Sequence, residues 1–249
     1  MIARLGQLSL FIVQIHRALF RNLSLVKRII TVTADITLQA LPTVMFSGAF
    51  VGAILVLQFN EVLSQYDAVS FLGGLNTSAL IREVGPLIIS FLLAGKVGAY
   101  IAAELGTMRV TDQIDAIDCL GTDSVEYLVV PRFFGIIGAS QILLGFGLMA
   151  GVVGSLLIAI YVCDMNALQF AGSIPRFVSI STLISGFIRS ALYGFIVASV
   201  SCFEGFFATN GSRGVGIAVT RTAIFTNLYI VIANALSSQW IRLLSGDVR

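Results

Sequence analysis

Residues 104–121 read ELGTMRVTDQIDAIDCLG, and this charged stretch lies between two long apolar runs. It holds five of the chain's charged residues: Glu104, Arg109, Asp112, Asp115 and Asp118. Apolar runs of ~20 residues on either side indicate membrane spans. The stretch therefore predicts a polytopic membrane protein in which a polar element outside the bilayer joins two neighbouring spans.

A short amphipathic helix is expected within this stretch, at about residues 108–121. Asp112, Asp115 and Asp118 recur every third residue, and an apolar stripe lies opposite them: Val110, Ile114, Ile117 and Leu120. Thr111 can cap this helix, because its hydroxyl can accept a hydrogen bond from a free amide of the first turn. Such a helix is suited to dock on a partner outside the bilayer, and the pattern equally allows an ordinary solvated loop helix.

The composition excludes an ordinary soluble domain. Of 249 residues, 57% are hydrophobic and 11% are charged, whereas charged residues make up ~25% of soluble domains. The mean hydropathy is +0.96, so we interpret the chain as an all-α integral membrane protein. The net charge of +2 is too small to indicate a nucleic-acid partner.

Residue types that carry catalysis or metal binding are sparse. Cys119, Cys163 and Cys202 lack CxxC spacing, and the single His16 cannot complete a metal site with them. The chain has no GxxxxGK(S/T) loop, so we do not expect it to hydrolyse nucleotide itself. We therefore expect no metal site, no cofactor bound by this chain and no enzymatic activity.

The first 30 residues are predicted to form an amphipathic helix that lies on the membrane surface. Their apolar run, residues 5–15, is shorter than the ~20 residues that a spanning helix needs. Arg17, Arg21 and Arg28 follow on one helical face, as is typical of interfacial helices. A signal peptide is disfavoured, because no small-residue cleavage site follows the run.

Five spans are predicted in residues 31–249, which form one membrane domain. They cover 36–59, 77–103, 133–161, 177–203 and 215–236, and the last can extend to Trp240. Residues 60–76 are expected to form a loop or a short re-entrant piece. Gly85-Pro86 is expected to kink the second span, and Gly48-x-x-x-Gly52 indicates close helix packing.

Lysine and arginine are unevenly distributed between the two sides that this span count defines. The amino-terminal segment and the 104–132 and 204–222 loops hold nine of them, against four on the other side. Because basic residues accumulate in cytoplasmic loops, we place the amino terminus and the 104–121 helix in the cytoplasm.

Three charged residues are candidates for a substrate site inside the membrane: Arg82, Glu83 and Arg189. Arg189 lies ~13 Å into the fourth span, near mid-depth of a ~30 Å core. A charge there costs at least ~2.5–3.5 kcal/mol on insertion scales, so it needs a partner or a wet cavity. Glu83 is one candidate counter-ion. The hypothesis is a polar patch in an apolar cavity that suits an amphiphile with an ionic head; a purely structural ion pair is the alternative.

Other polar residues of the spans are assigned structural roles. Lys96 is expected to snorkel towards phosphates, and Glu104 to lie in water. Thr220, Asn227 and Asn234 recur at intervals of seven in the fifth span. Hydrogen bonding between helices is favoured for this seam over the lining of a substrate path.

Three stretches together resemble the MlaE/YrbE family, the permease subunits of bacterial lipid-transporting ABC systems that work with MCE-domain proteins. They are residues 80–96 (LIREVGPLIISFLLAGK), 103–132 (AELGTMRVTDQIDAIDCLGTDSVEYLVVPR) and 203–222 (FEGFFATNGSRGVGIAVTRT). The resemblance extends over about residues 30–240. The chain departs from the family at Asn234, where an Asp is common.

The resemblance implies a homodimer of five-span subunits bound to a separate cytoplasmic ABC ATPase, which uses ATP and Mg²⁺. It also implies an MCE-domain lipid-binding protein on the outer side and a phospholipid-like substrate that Arg82, Glu83 and Arg189 would contact. The coupling helix that docks on the ATPase would use Glu104, Arg109, Asp112, Ile114, Asp115, Ile117 and Asp118. The membrane would be the bacterial inner membrane, or a plastid envelope for a plastid-encoded chain.

Two other classes of function compete with this interpretation. An ion-coupled secondary transporter of an amphiphile is disfavoured, because the chain shows no internal repeat and few mid-membrane acids. An intramembrane enzyme is disfavoured, because no nucleophile–base pair or metal cluster is visible.

Overall fold

The computed structural model describes residues 2–19 and 25–244, with side chains from residue 6 to residue 239. All regular structure in this part of the chain is helical. The helices are α1 (Ile2–Leu19), α2 (Leu25–Ser64), α3 (Val69–Val110), α4 (Gln113–Cys119), α5 (Val125–Tyr161), α6 (Ala167–Phe177), α7 (Ile180–Phe206) and α8 (Gly211–Leu244).

Five of these helices are long and apolar enough to span a membrane: α2, α3, α5, α7 and α8. The prediction of an all-α protein with five spans after an amino-terminal helix is confirmed. Most of the helices extend beyond the predicted spans, because hydropathy detects the apolar centre of a helix and not its polar ends.

The amino-terminal segment forms two helices where the sequence suggested one. α1 ends at Leu19 and α2 begins at Leu25, so Arg17 and Arg28 lie on separate helices. Arg21 lies outside the described residues. α1 inserts Phe11, which is 2% exposed, among aromatic rings near the end of α7: Phe203, Phe206 and Phe207. The position of α1 on a membrane surface stays a prediction.

The loop predicted at residues 60–76 is confined to a short turn, because the end of α2 and the start of α3 take up most of this segment. The alternative, a short re-entrant piece, stays a prediction. Gly73 and Gly74 lie inside α3 where α6 packs on it. A Cβ on Gly73 would be 2.2 Å from the carbonyl oxygen of Phe170, and the Gly74 amide donates to Ser173 Oγ at 2.8 Å. Composition alone does not distinguish such packing glycines from turn glycines.

The described chain forms two compact units. Unit 1 comprises the residues up to 39, 90–140 and those from 191 onward; unit 2 comprises 40–89 and 141–190. The long helices α2, α3, α5 and α7 contribute residues to both. The core of unit 2 contains Val56, Leu72, Ala159, Met165 and Phe170, and the fully buried side chains of unit 1 include Ile15, Leu105, Phe133 and Tyr193.

In unit 2, α2 and α5 approach each other through glycines. A Cβ on Gly48 would lie 2.5 Å from the Gly147 carbonyl oxygen, and one on Gly52 would lie 2.0 Å from the Gly151 carbonyl oxygen. The close packing predicted from Gly48-x-x-x-Gly52 is therefore confirmed. Such contact stabilises helix pairs in lipid, where packing replaces the hydrophobic effect as the driving force.

Candidate functional sites

The predicted coupling helix is shorter than residues 108–121 and is capped differently. α4 covers only Gln113–Cys119, and the preceding Asp112 has a left-handed backbone with φ of 57°. Thr111 does not cap α4, because its hydroxyl donates to the Thr107 carbonyl at 2.8 Å and so belongs to the end of α3. Thr hydroxyls often bond one turn back in this way, and Asp tolerates left-handed geometry.

The apolar stripe expected along this helix is reduced to its centre. Ile114 is fully buried, whereas Leu120 is 84% exposed and Ile117 is half-buried. Val110 belongs to α3. The turn at Asp112 and the end of α4 at Cys119 break the periodicity that the sequence suggested. Ile114 thus anchors α4 to unit 1, and Leu120 projects from its end.

The three acids of this segment have different surroundings. Asp115 forms a 2.5 Å ion pair with Arg109, and both side chains are exposed, so the pair adds little stability. Asp118 accepts hydrogen bonds from the Ser124 amide at 2.9 Å and the Ser124 hydroxyl at 3.1 Å. Asp118 therefore fixes the turn into α5, while Asp112 remains on the surface.

Glu104 does not lie in open water. Its carboxylate accepts two hydrogen bonds from the Arg132 guanidinium, at 2.8 and 3.0 Å, and Arg132 also donates to the Leu128 carbonyl. The Glu104 side chain is 31% exposed and that of Arg132 is 15% exposed. This bidentate pair joins α3 to α5, and it lies near the ends of the two helices that α4 connects.

The structure brings two of the three predicted substrate residues together in unit 2. Arg189 is 4% exposed, and its Nη1 lies 3.5 Å from Glu83 Oε1. Arg189 Nε and Nη1 have no hydrogen-bond partner among the described residues. Glu83 is 55% exposed, and Arg82 beside it is also exposed. The buried guanidinium of Arg189 thus has an oppositely charged neighbour, but two of its nitrogens donate no hydrogen bond to the described residues.

Arg82 and Glu83 lie on a π-helical turn, Leu80–Val84, that precedes Gly85 and Pro86. A proline ring inside a regular helix clashes with the preceding turn, and the wider π turn offers one way to accommodate it. π turns are found frequently at functional sites and at kinks. The Gly85-Pro86 step therefore explains why the two charged side chains project from an irregular part of α3.

Residues 29–240 match the family described as Permease MlaE. This chain belongs to the MlaE permease family. A probable ABC transporter permease protein of Rickettsia bellii is 34% identical over 235 residues, which cover 94% of this chain and 91% of the relative. The intermembrane phospholipid transport system permease protein MlaE of Haemophilus influenzae is 28% identical over 194 residues, which cover 78% and 74%.

A plant relative is similar as well. The protein TRIGALACTOSYLDIACYLGLYCEROL 1, chloroplastic, of Arabidopsis thaliana is 30% identical over 211 residues, which cover 84% of this chain and 60% of the relative. With its five candidate spans, the MlaE-family chain is an ABC transporter permease and a multi-pass membrane protein.

The polar seam of this MlaE permease is only partly interhelical. Asn234 Oδ1 accepts a 2.8 Å hydrogen bond from Tyr193 on α7. Thr220 instead donates to the Gly216 carbonyl of its own helix, and Asn227 is exposed. The interhelical role predicted for the seam is therefore confirmed at Asn234 and wrong for Thr220.

Sequence reasoning missed a charged cavity of the MlaE permease that three helices form in unit 1. Arg28 and Asp35 of α2, Lys96 and Glu104 of α3, and Arg132 of α5 line it. The spacing of seven on α2 and eight on α3 was a signal that each pair shares a helix face. That the faces meet depends on tertiary packing. Among the described residues, no group of three His, Cys, Asp or Glu side chains could hold a metal.

Proposed function

We propose that this MlaE-family permease moves phospholipid-like amphiphiles across or out of a membrane as a homodimer, energised by a separate cytoplasmic ABC ATPase that uses ATP and Mg²⁺. An MCE-domain lipid-binding protein on the outer side would exchange lipid with it. The permease would lie in the bacterial inner membrane, or in a plastid envelope if plastid-encoded, with its amino terminus in the cytoplasm or stroma. It would bind no cofactor itself.

The observation that carries the substrate proposal is the buried guanidinium of Arg189. A charge that is 4% exposed is costly unless hydrogen-bond acceptors surround it. Glu83 Oε1 lies 3.5 Å from Arg189 Nη1, so it supplies an opposite charge but no hydrogen bond to that nitrogen. Arg189 Nε and Nη1 have no hydrogen-bond partner among the described residues. A lipid phosphate would supply the acceptors, since guanidinium and phosphate groups form charge-assisted pairs. Exposed Arg82 would contact the same head group.

The name of the Haemophilus influenzae relative supports the same substrate class, because that protein is a permease of an intermembrane phospholipid transport system. The chloroplastic relative extends the similarity to a plastid protein.

The surroundings of α4 support its role in docking the ATPase. Ile114 and Asp118 hold the segment between α3 and α5, while Asp112, Asp115 and Leu120 face outward. An element that is anchored on one face and exposed on the other can pass a displacement caused by a bound partner to α3 and α5. The Glu104–Arg132 ion pair joins these helices. It would couple their movements and would not contact the ATPase.

The test is purification from native membranes in mild detergent, followed by mass spectrometry of the associated proteins and lipids and by a vesicle transfer assay. We expect an ATPase and an MCE-domain protein with the wild-type chain, together with retained phospholipid. Arg189→Met should lower ATP-dependent lipid transfer at least about tenfold, the effect of losing one charge-assisted hydrogen bond.

Arg189→Lys is the matched control, because it retains the charge and should keep part of the transfer activity. Transfer that continues unchanged in folded Arg189→Met would refute the substrate role of the cluster. Transfer that needs an ion gradient and no ATPase would refute the ABC mechanism.

A further inference from the structure

The charged cavity lies within unit 1 and has a volume of about 310 Å³. Its wall carries five charged side chains: Arg28 and Asp35 of α2, Lys96 and Glu104 of α3, and Arg132 of α5. These residues combine three cations with two carboxylates, so the wall carries a net charge of one positive. The cavity therefore favours a ligand with a negative group.

The carboxylate of Glu104 is engaged by the cation of Arg132. Two hydrogen bonds join them, so this pair contributes almost no net field. The remaining charges of the wall are those of Arg28, Asp35 and Lys96. The net charge of these three side chains is again one positive, and they lie on α2 and α3.

Local structure holds both of these cations in defined positions. Lys96 lies on the π-helical turn Ala94–Gly98, and its Nζ donates to the Gln39 carbonyl at 2.6 Å. The Arg28 guanidinium lies over the Tyr127 ring, with Cζ 3.7 Å from the ring centroid. Such a cation–π contact holds the guanidinium against the aromatic face. Lys96 is exposed, but its hydrogen bond to Gln39 and the contact between Arg28 and Tyr127 hold both cations at the cavity wall.

The remaining wall is apolar, and its dimensions limit the ligand. Arg28 and Gln39 are separated by 11 residues of α2, or ~16 Å at 1.5 Å per residue. Val32 and Ile36 lie between them, and Val97 and Ile101 line the cavity from α3. A volume of about 310 Å³ is at the lower end of ligand pockets, which run from ~300 to ~1,000 Å³. The space suits a phosphate head group with its glycerol backbone, but not two acyl chains.

We propose that the charged cavity binds the phosphate head group of a membrane phospholipid, at a site separate from the Arg82, Glu83 and Arg189 cluster of unit 2. The phosphate would lie near Lys96 and Arg28, and the acyl chains would leave the cavity into the bilayer. This inference goes beyond the proposed function, because it assigns a second lipid site whether or not the bound lipid is the transported one.

The test measures protection of a cysteine placed in the cavity wall. Tyr100 lines the cavity and is 58% exposed, so Tyr100→Cys is the reporter, and native Cys119, which is exposed, is the internal control. The probes are diheptanoyl phosphatidylglycerol, a short-chain diacylglycerol without phosphate, and inorganic phosphate. At a lipid concentration ten times the Kd, maleimide labelling of the reporter should slow about tenfold, while labelling of Cys119 stays unchanged.

Protection by the diacylglycerol equal to that by the phospholipid would overturn the role of the phosphate. Protection by inorganic phosphate at the same concentration would overturn the lipid source and assign a free-phosphate site. Gln39→Cys, also exposed and in the wall, serves as reporter if Tyr100→Cys does not fold.

Charge variants separate the cavity from the transport cluster. Lys96→Met should weaken protection by the phospholipid about tenfold, and Lys96→Arg should retain it. Arg28→Gln should act in the same direction as Lys96→Met, and it replaces that variant if folding fails. Arg189→Met should leave protection intact.

Protection that survives both Lys96→Met and Arg28→Gln would overturn the inference, and so would protection that is lost in Arg189→Met. Lipid transfer by the same variants tests the proposed function independently.

Discussion

The hydroxyl of Tyr193 on α7 donates a 2.8 Å hydrogen bond to Asn234 Oδ1 on α8. Tyr193 is fully buried, and a buried hydroxyl without an acceptor destabilises the folded state. The position where the MlaE/YrbE pattern commonly has Asp therefore retains an acceptor oxygen in this chain.

Removing that acceptor should destabilise the permease. Asn234→Leu is expected to lower the free energy of unfolding by about 1–3 kcal/mol, measured by thermal unfolding in detergent. Asn234→Asp should have a smaller effect, because a carboxylate accepts the same bond. In a Tyr193→Phe background the cost of Asn234→Leu should shrink. An undiminished cost there would show that the bond is not its cause.

Filling the closest contact between α2 and α5 should also destabilise the protein. A Cβ on Gly52 would lie 2.0 Å from the Gly151 carbonyl and 2.6 Å from Ser155 Oγ, so Gly52→Ala forces the helices apart. Overpacking of this kind costs about 1–3 kcal/mol. Gly145→Ala on α5 is the control, because a Cβ there meets no atom within 4 Å. Equal folded yields of the two variants would contradict the close approach.

Charge reversal at the exposed end of α3 should disrupt docking of the ATPase. Asp112→Lys is expected to lower the amount of ATPase that co-purifies, because Asp112 lies on the exposed side of the proposed coupling segment. Asp67→Lys is a matched control: Asp67 has φ of 53° against 57° at Asp112 and is also exposed. It lies at the opposite end of α3. A loss of ATPase in both variants would point to folding and not to docking.

The two cysteines that flank α5 should be accessible from opposite sides of the membrane. Cys119 precedes this span and Cys163 follows it. The proposed orientation predicts that a membrane-impermeant maleimide labels Cys119 in inverted vesicles and Cys163 in spheroplasts. The buried Cys202 should stay unlabelled in both. The reverse pattern would invert the topology and remove α4 from the side of the ATPase.

Labelling of Cys163 should require a higher pH than an ordinary thiol. Burial, and secondly the Asp164 carboxylate, raise the pKa of the Cys163 thiol above its usual value. The thiolate is the reactive form, so the raised pKa moves the rise in labelling rate to higher pH. Asp164→Asn removes the second cause and should move the pH profile part of the way back. Because Asn tolerates the left-handed backbone at this position, with φ of 50°, an unchanged profile would contradict the electrostatic cause.

Some features of the candidate site could be predicted because their physical cause is local. A charge at mid-span needs a partner wherever the helix packs, and Arg189 does lie 3.5 Å from Glu83. Apolar runs of ~20 residues span a bilayer in any fold, so the count of five spans followed from composition. The Gly48-x-x-x-Gly52 pair likewise predicted a close helix contact.

Other features depend on which helix faces meet, and no local pattern reports that. The Glu104–Arg132 pair joins residues 28 positions apart, and the sequence alone suggested that Glu104 was solvated. The cap expected at Thr111 is absent, because the backbone turns left-handed at Asp112 and the Thr111 hydroxyl donates to the Thr107 carbonyl instead.

By itself, the sequence determined the membrane class, the five spans and the intramembrane charges, because each follows from the free energy of placing one residue type in lipid. Tertiary structure alone decided that Gly73 and Gly74 pack under α6, that Asp118 fixes the start of α5, and that faces of three helices line the charged cavity. These depend on contacts between distant segments, which form only when the buried faces of the helices select their partners.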